Sequence, residues 1–363
     1  MRFTSCLVFM VAVLAAPLSF SEAVPFLGRW ALSPDNGGAG WLEVRQAEGF
    51  LDGTLLWMGG SPEPLTRVYL DDGRLVALRV WNEEVRDTSG AVTHTLAHPV
   101  TLTATLDGEK LLGELSQPSN DGLGVFREAF CGARIPPTGP RPDLSTVHFG
   151  EPVSLFNGKT LDGWVVMGGA HWGGLGDGSG KSQGWIPVDE NVANGWTAGD
   201  GILRNAPEQK EGEPYKRYGN LATRGMFGDF NLTLEARVPT GGNSGIYLRG
   251  IYEIQVIDSF GKPLDCHNMG ALYGRITPAV AAEKAAGEWQ SLDITLVERH
   301  LTVKLNGTTI IDNQPVAGCT GGALWSDESR PGPFYLQGDH TAVEYRNIVL
   351  RPVLKQTPVQ AMR

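Results

Sequence analysis

Between Asn243 and His340 the chain carries side chains that could together move protons and hold hydroxyl groups. Glu253, Asp258, Asp265 and Asp339 are carboxylates, His267 and His340 could act as bases, and Arg249 is a cation. Asn243, Gln255, Tyr273 and Gln337 add neutral hydrogen-bonding groups. Many neutral donors and acceptors around a few ionisable ones suit a polyhydroxylated ligand. The aromatic faces of Trp172 and Trp185 would suit sugar rings. Two carboxylates flanking a glycosidic bond suffice for ordinary glycoside hydrolysis. Glu253 and Asp258 have opposite parity on a strand, however, and share a face only if a bulge or turn intervenes. The Glu-x-Asp-x-Glu strand pattern of jelly-roll glucanases is absent, because this strand reads Glu253, Gln255, Ile257.

These residues need strands and turns to place them. Gly241, Gly242, Asn243, Ser244 and Gly245 form a turn cluster, and Ile246 to Arg249 reads as a short strand. Gly250 interrupts it, as a bulge or a close backbone approach would. Tyr252 to Ile257 is a second strand, with Tyr252, Ile254 and Val256 on one face and Glu253 and Gln255 on the other. If Arg249 reaches the Glu253 side, one sheet face carries a cation, a carboxylate and an amide. A solvated outer face would look much the same. Asp265 to Gly274 is a loop rich in polar groups, and Tyr335 to His340 forms a second polar cluster. Phe230 to Val238 alternates apolar and polar residues cleanly, Gln290–Val297 and Leu301–Leu305 form a hairpin, and Asn306-Gly307 makes a tight turn. Antiparallel strands without βαβ alternation predict a two-sheet sandwich. Helical periodicity is best over Pro278–Ala286, and that stretch is short.

The glycine-rich run Gly168–Gly184 ends in Gly180-Lys181-Ser182. A phosphate-binding loop would need Gly at position 175, which is Leu175, and a helix afterwards, where Pro187 soon follows. The run reads instead as a surface loop or lid from which His171 and Trp172 could reach a substrate.

Residues 25–134 have a different character. Hairpin turns are expected at Asp52-Gly53, Asp72-Gly73 and Asp107-Gly108, and every hairpin pairs sequence neighbours. An up-and-down antiparallel β-barrel or small sandwich follows. Trp41, Trp57 and Trp81 are core residues on the plainer reading and a sugar-stacking surface on the other. His94 and His98 lie on a strand or loop, which is a poor metal pair. This half offers no catalytic constellation. Residues 135–150 carry four prolines and form a stiff linker, so the second domain spans about 151–353. The fold class is therefore all-β, in two domains.

Arg2, the apolar run Cys6–Leu18 and the small-x-small site Ser21-Glu22-Ala23 read as a signal peptide over residues 1–23, giving a secreted or periplasmic chain. The apolar run is too short for a good membrane span. Of the three cysteines that remain, Cys266 and Cys319 are the expected disulfide, because both lie in loops flanking the candidate site, and Cys131 is the odd thiol. A formal net charge of −10 argues against nucleic acid or an anionic membrane as partner.

The blocks GGNSGIYLRG (241–250), YEIQVID (252–258), GALYG (270–274), GEWQ (287–290) and GPFYLQGDH (332–340) occur in this order. With SLFNGKTLDGW (154–164) and YRNIVLR (345–351) at the ends, the region resembles the 3-keto-disaccharide hydrolase family over about residues 151–353. The resemblance implies a concanavalin A-like jelly-roll sandwich. It also implies a reaction in which a C3 ketone acidifies the C2 proton of a sugar. A base removes that proton, the group on C1 leaves by elimination, and water adds back. On that basis Glu253 and His340 are the acid and base. Arg249, or a divalent metal held by carboxylates and histidine, polarises the carbonyl. Asn243, Gln255, Tyr273, Gln337, Asp339, Asp258 and His267 contact the substrate. A sugar 3-dehydrogenase acting upstream would supply the ketone. The rival expectations are a lectin, which binds sugar without chemistry, and a structural cell-surface module.

Overall fold

The protein is described by a computed structural model covering residues 23–119, 121–168, 182–183, 186–187, 192–210, 213–214 and 216–354. The expected signal peptide apart from Ala23, and His171, Trp172, Gly180, Lys181 and Trp185, lie outside the described residues. No described helix is long and apolar enough to cross a membrane.

The N-terminal part is a closed eight-stranded barrel. Its strands are β1 (Gly28–Pro34), β2 (Gly40–Ala47), β3 (Phe50–Trp57), β4 (Gly59–Pro64), β5 (Arg67–Asp71), β6 (Arg74–Arg86), β7 (Val92–Asp107), β8 (Lys110–Pro118) and β9 (Val125–Arg134). Neighbours in sequence pair antiparallel except β4 with β5, and β1 closes the meander by pairing with β9. The short β4 folds back outside the ring on β3, which also pairs with β2 and β5. Closure leaves the ring without free edges. Alternate residues such as Trp30, Leu32, Leu42, Leu55, Leu75, Leu102, Leu111 and Phe130 fill the interior.

Two of the three expected Asp-Gly turns form. Asp72 and Gly73 both have positive φ between the paired Asp71 and Arg74. Gly108 turns the chain after Asp107, which pairs with Lys110. Asp52-Gly53 instead lies inside β3, and the turn falls at Glu48-Gly49. Gly53 is needed for close approach: a Cβ there would stand 2.6 Å from the Glu43 carbonyl oxygen and 2.9 Å from Leu65 Cδ1. Trp41 is buried, Trp57 packs against the barrel core, and Trp81 is exposed and stacked on His98. His94 and His98 both lie on β7, as expected.

The second part is a β-sandwich. One sheet runs Trp196–Gly199, Ile202–Asn205, Val343–Pro352, Phe230–Arg237, Gln290–Val297, His300–Leu305, Thr308–Pro315, with Val153–Ser154 beside Val343–Pro352. The facing sheet runs Trp164–Met167, Asn220–Thr223, Tyr335–Leu336, Asn243–Leu248, Tyr252–Ile257. The jelly-roll expectation is met at the level of this two-sheet sandwich. Phe230, Leu232, Leu234 and Ala236 point into the core, as their alternation requires. They meet Ile246, Leu248, Tyr252, Ile254 and Val256 from the opposite sheet. Burying a side chain of this size stabilises by about 1.5–3 kcal/mol.

Pro278–Ala286 is not a helix. It is too short to repay helix nucleation, and tertiary bonds take its backbone. Gln290 accepts from Lys284 N (2.9 Å) and donates to Lys284 O (2.8 Å), while Ala279 N donates to Ile310 O (2.7 Å).

The linker is pinned to the sandwich. Asn313 donates to Pro142 O, Arg299 donates to Pro136 O, and Arg141 pairs with Asp312. Ala31, Ala39, Trp41, Leu56 and Ile135 belong to the apolar cluster of the sandwich core, so one outer face of the barrel packs against the sandwich while the barrel keeps a separate interior.

Candidate active site

The hairpin of Asn243–Leu248 and Tyr252–Ile257 builds the floor of the site. Its register sets Tyr247 opposite Glu253 and Gly245 opposite Gln255. Residues 243, 245, 247, 253 and 255 therefore share the face turned away from the core. A small pocket of about 40 Å³ lies over that face. Asn243, Tyr247, Glu253 and Gln255 line it, with Tyr273, Gln337 and His340 from neighbouring loops. Gly60, Gly321 and Gly322 complete the wall.

Glycine at 245 leaves room for the acid: a Cβ there would run into the Glu253 carboxyl, 2.9 Å from its Cδ. Glu253 is buried, and burial pushes its pKa from 4.5 up to about 8. Hydrogen bonding from Tyr247 and the nearby His340 oppose that rise, and Asp339 adds to it. The Tyr247 hydroxyl lies 2.7 Å from Glu253 Oε2, and its ring stacks on Tyr335 at 3.9 Å. In the amide orientation that satisfies both ends of Gln255, its nitrogen donates to Ser244 O (3.1 Å) and to Glu253 Oε1 (3.2 Å).

His340 faces this acid from the loop after Tyr335–Leu336. Its Nδ1 lies 2.8 Å from Asp339 Oδ1. Burial alone would disfavour the charged ring, but the Asp339 hydrogen bond and the charges of Asp339 and Glu253 outweigh it and raise the pKa. The loop is tied to the floor, since Asn243 N donates to Thr341 Oγ1 (2.7 Å), which in turn donates to Asn243 O (2.9 Å). Gln337 is fixed through its backbone: its N donates to Gly245 O, and Ser244 Oγ donates to its carbonyl.

Of the ten expected catalytic and substrate residues, the structure brings six to the pocket: Glu253, His340, Asn243, Gln255, Tyr273 and Gln337. Asp339 stands directly behind His340. His267 packs edge-on against Tyr273, 5.0 Å between ring centres. Asp258 lies at the strand end, where its carboxylate accepts from Gly241 N. Arg249 is turned away. It sits with Gly250 in the hairpin turn, both at positive φ, so the expected bulge is a turn and the side chain leaves the Glu253 face. Its guanidinium reaches the Glu328 carbonyl and Asp229, over the ring of Tyr252. Glu328 also pairs with Arg299 at 2.6 Å, so Arg249 belongs to a buried ionic group on the core side.

The expected disulfide is not formed. Cys266 and Cys319 are both free thiols, as is Cys131. Cys319 is buried near Arg275, its thiol pKa pushed up to about 12 by burial, while Cys266 Sγ lies beside His267. Among the described residues, Asp265, Cys266 and His267 are the group whose donor atoms lie close enough to hold a metal. Those donors already serve one another: Asp265 Oδ1 binds the backbone N of His267 (2.7 Å) and its Nδ1 (2.5 Å). His267 Nε2 meets Ser61 Oγ at 2.7 Å. A carboxylate, a thiol and an imidazole would favour a borderline ion such as zinc over magnesium or calcium.

Tyr247, Gly60, Ser61, Gly321 and Gly322 were not expected at the site. Tyr247 could have been found, since it shares strand parity with Asn243 and Gly245. Gly60 and Ser61 come from β4 of the barrel and Gly321 and Gly322 from a loop of the sandwich, segments far from the hairpin in sequence.

Residues 151–351, just over half of the chain, match the 3-keto-alpha-glucoside-1,2-lyase-like domain. No curated protein matches the chain significantly. Among solved structures it is similar to two from Parabacteroides distasonis ATCC 8503, each described as a "putative glycosyl hydrolase". The first is 25% identical and covers 59% of this chain and 93% of its own, at a TM-score of 0.41. The second is 19% identical and covers 56% and 94%, at a TM-score of 0.40. By its second part, this chain belongs to the 3-keto-alpha-glucoside-1,2-lyase-like family of carbohydrate-active proteins.

Proposed function

We propose that the protein is an exported enzyme that cleaves 3-keto-glycosides by C2 proton abstraction and elimination. The observation that carries this is a buried carboxyl, Glu253, whose protonated form burial favours, facing an imidazole that a carboxylate holds in place. With Nδ1–H donated to Asp339, His340 presents Nε2 as the base. It takes the C2 proton, the C2–H electron pair passes into an enolate on the C3 oxygen, and the C1–O bond then breaks to leave a C1–C2 double bond. Glu253 gives its proton to the departing oxygen. Addition of water at C1 and return of a proton to C2 complete net hydrolysis; without that step the enzyme is a lyase. A C3 ketone is what lets so modest a base remove this proton, so an oxidation at C3 by a dehydrogenase must precede the reaction.

In place of Arg249, the amides of Asn243 and Gln337 are the neutral donors for the C3 oxygen, and Gln255 and Tyr273 hold hydroxyl groups. The residues at 265–267 would hold a divalent ion if one binds, and a bound ion would supply further polarisation of the substrate. Export rests on the N-terminal charged and apolar pattern. The rival reading is a lectin, which would bind sugar in the same pocket and not need the acid–base pair.

Incubation of the exported chain with a 3-keto-glucoside and with the unoxidised glucoside tests the proposal. Cleavage of the keto form alone supports it, and a chelator arm reports on a metal. Cleavage of both would indicate ordinary two-carboxylate hydrolysis, and binding without cleavage would make the protein a lectin.

A further inference from the structure

The barrel contributes Gly60 to the pocket wall, beside Gly321 and Gly322 of the sandwich. Residues 58–61, where β3 passes into β4, press on two loops of the sandwich. Gly322 N donates to Met58 O at 2.7 Å. Gly321 lies so close to Gly60 that a Cβ on it would stand 2.6 Å from the Gly60 nitrogen and nearer still to its carbonyl oxygen. On the other side, Ser61 Oγ meets His267 Nε2 at 2.7 Å, and Ser61 packs on Gly274, where a Cβ would stand 2.9 Å from Ser61 Cβ.

The Gly321 carbonyl matters because of Tyr247. That hydroxyl has one proton and two acceptors within 2.7 Å, Glu253 Oε2 and Gly321 O. If Glu253 were ionised, Tyr247 would point its proton there and leave the Gly321 carbonyl facing its lone pairs in a buried site, which costs about 1–3 kcal/mol. Both contacts are satisfied only when Glu253 carries the second proton and donates it to Tyr247.

We infer that the barrel is a positioning part of the sandwich site: Met58 and Gly60 hold the Gly321 carbonyl where it takes the Tyr247 proton, so that Glu253 rests as a hydrogen-bond donor, while Ser61 holds His267 behind Tyr273. When the leaving oxygen takes the Glu253 proton, Tyr247 swings its own from Gly321 to the new carboxylate and stabilises it. The other groups whose charge bears on Glu253 are His340, Asp339, Tyr335, Tyr273 and Tyr345. They lie on other elements than the barrel segment, and of them only Tyr273 bonds to it, through Ser61. The inference rests on Glu253 being the acid of the proposed reaction.

The test is the pH dependence of kcat on a 3-keto-glucoside, in the full chain. Gly321→Ala should separate the carbonyl from Tyr247, lower kcat about tenfold and move the alkaline limb to lower pH, because Tyr247 then donates only to the carboxylate. Tyr247→Phe should move that limb to higher pH, because the carboxylate loses its donor. Ser61→Ala should raise KM more than it lowers kcat. Folded Gly321→Ala enzyme with an unmoved limb would overturn the inference, since a merely structural contact changes the rate and not the titration. If Gly321→Ala does not fold, Tyr247→Phe decides, and a limb that falls or stays in place overturns it. An alkaline limb that persists in Glu253→Gln would instead show that Glu253 is not the acid, and the site reading fails with it.

Discussion

The barrel and the sandwich are both antiparallel β structures with alternating strands, yet they treat polar groups in opposite ways. Among the described barrel residues Glu128 is the only buried polar side chain, and it is answered by Asn36 through both backbone and side chain. The sandwich buries Ser244, Arg249, Glu253, Gln255, Glu328 and Gln337 within its second sheet and the adjoining loops. Burying such groups costs free energy unless they are paired, and a fold that only needed a core would omit them. The barrel shows that this chain can build a nearly apolar interior. The polar groups under the sandwich pocket are therefore set there for something other than stability.

The largest expected effects lie on the sandwich side. Glu253→Gln and His340→Ala should each lower kcat/KM on a 3-keto-glucoside by about 10²–10⁴-fold, with circular dichroism unchanged. Comparable activity in both variants would place the chemistry elsewhere. Gly245→Ala puts a methyl group against the Glu253 carboxyl. It should destabilise by about 1–3 kcal/mol in urea titration and lower kcat as well. Its counterpart in the barrel, Gly53→Ala, collides with Glu43 and Leu65. A similar loss of about 1–3 kcal/mol is expected, but with KM and kcat retained. Loss of activity there in a folded variant would erase the distinction between the two regions.

The pH dependence of stability sharpens the same contrast. Glu253 has a raised pKa in the folded state, so the protonated form is favoured by folding. Its contribution is whole below about 4.5 and is lost as pH rises through about 8. Within that window the wild type should lose up to about 1.4 kcal/mol per pH unit relative to Glu253→Gln, seen as a widening gap in Tm. Parallel Tm curves would mean the carboxyl is solvated. The smallest effect is expected at Trp81→Ala on the exposed face of the barrel, within about 0.5 kcal/mol and without change in activity.

Much of the fold was legible because it is local. Alternation at Phe230–Arg237 and Tyr252–Ile257 assigned faces correctly, since strand geometry alone fixes them. The turns at Asp72-Gly73 and Asn306-Gly307 follow from residues that tolerate positive φ. Asp52-Gly53 looked the same in sequence and became strand, because Gly53 answers to a packing contact from Leu65 that no local pattern announces. Pro278–Ala286, the best but short helical periodicity, forms no helix, and within it the side chain of Gln290 binds both backbone groups of Lys284.

The site divides along the same line. The sequence by itself determined that Glu253 and Gln255 share a face, that Asn243 and Gly245 lie near them, and that a polar loop ending in His340 is available, because parity and composition are properties of neighbouring residues. Only the tertiary structure decided that Arg249 turns to Glu328, that Cys266 and Cys319 stay apart, and that Glu253 is buried deeply enough to keep its proton. It alone brought Gly60 and Ser61 of the barrel against Gly321 and His267. Those outcomes depend on which distant segments pack together, and burial and hydrogen-bond partnership exist only once they have.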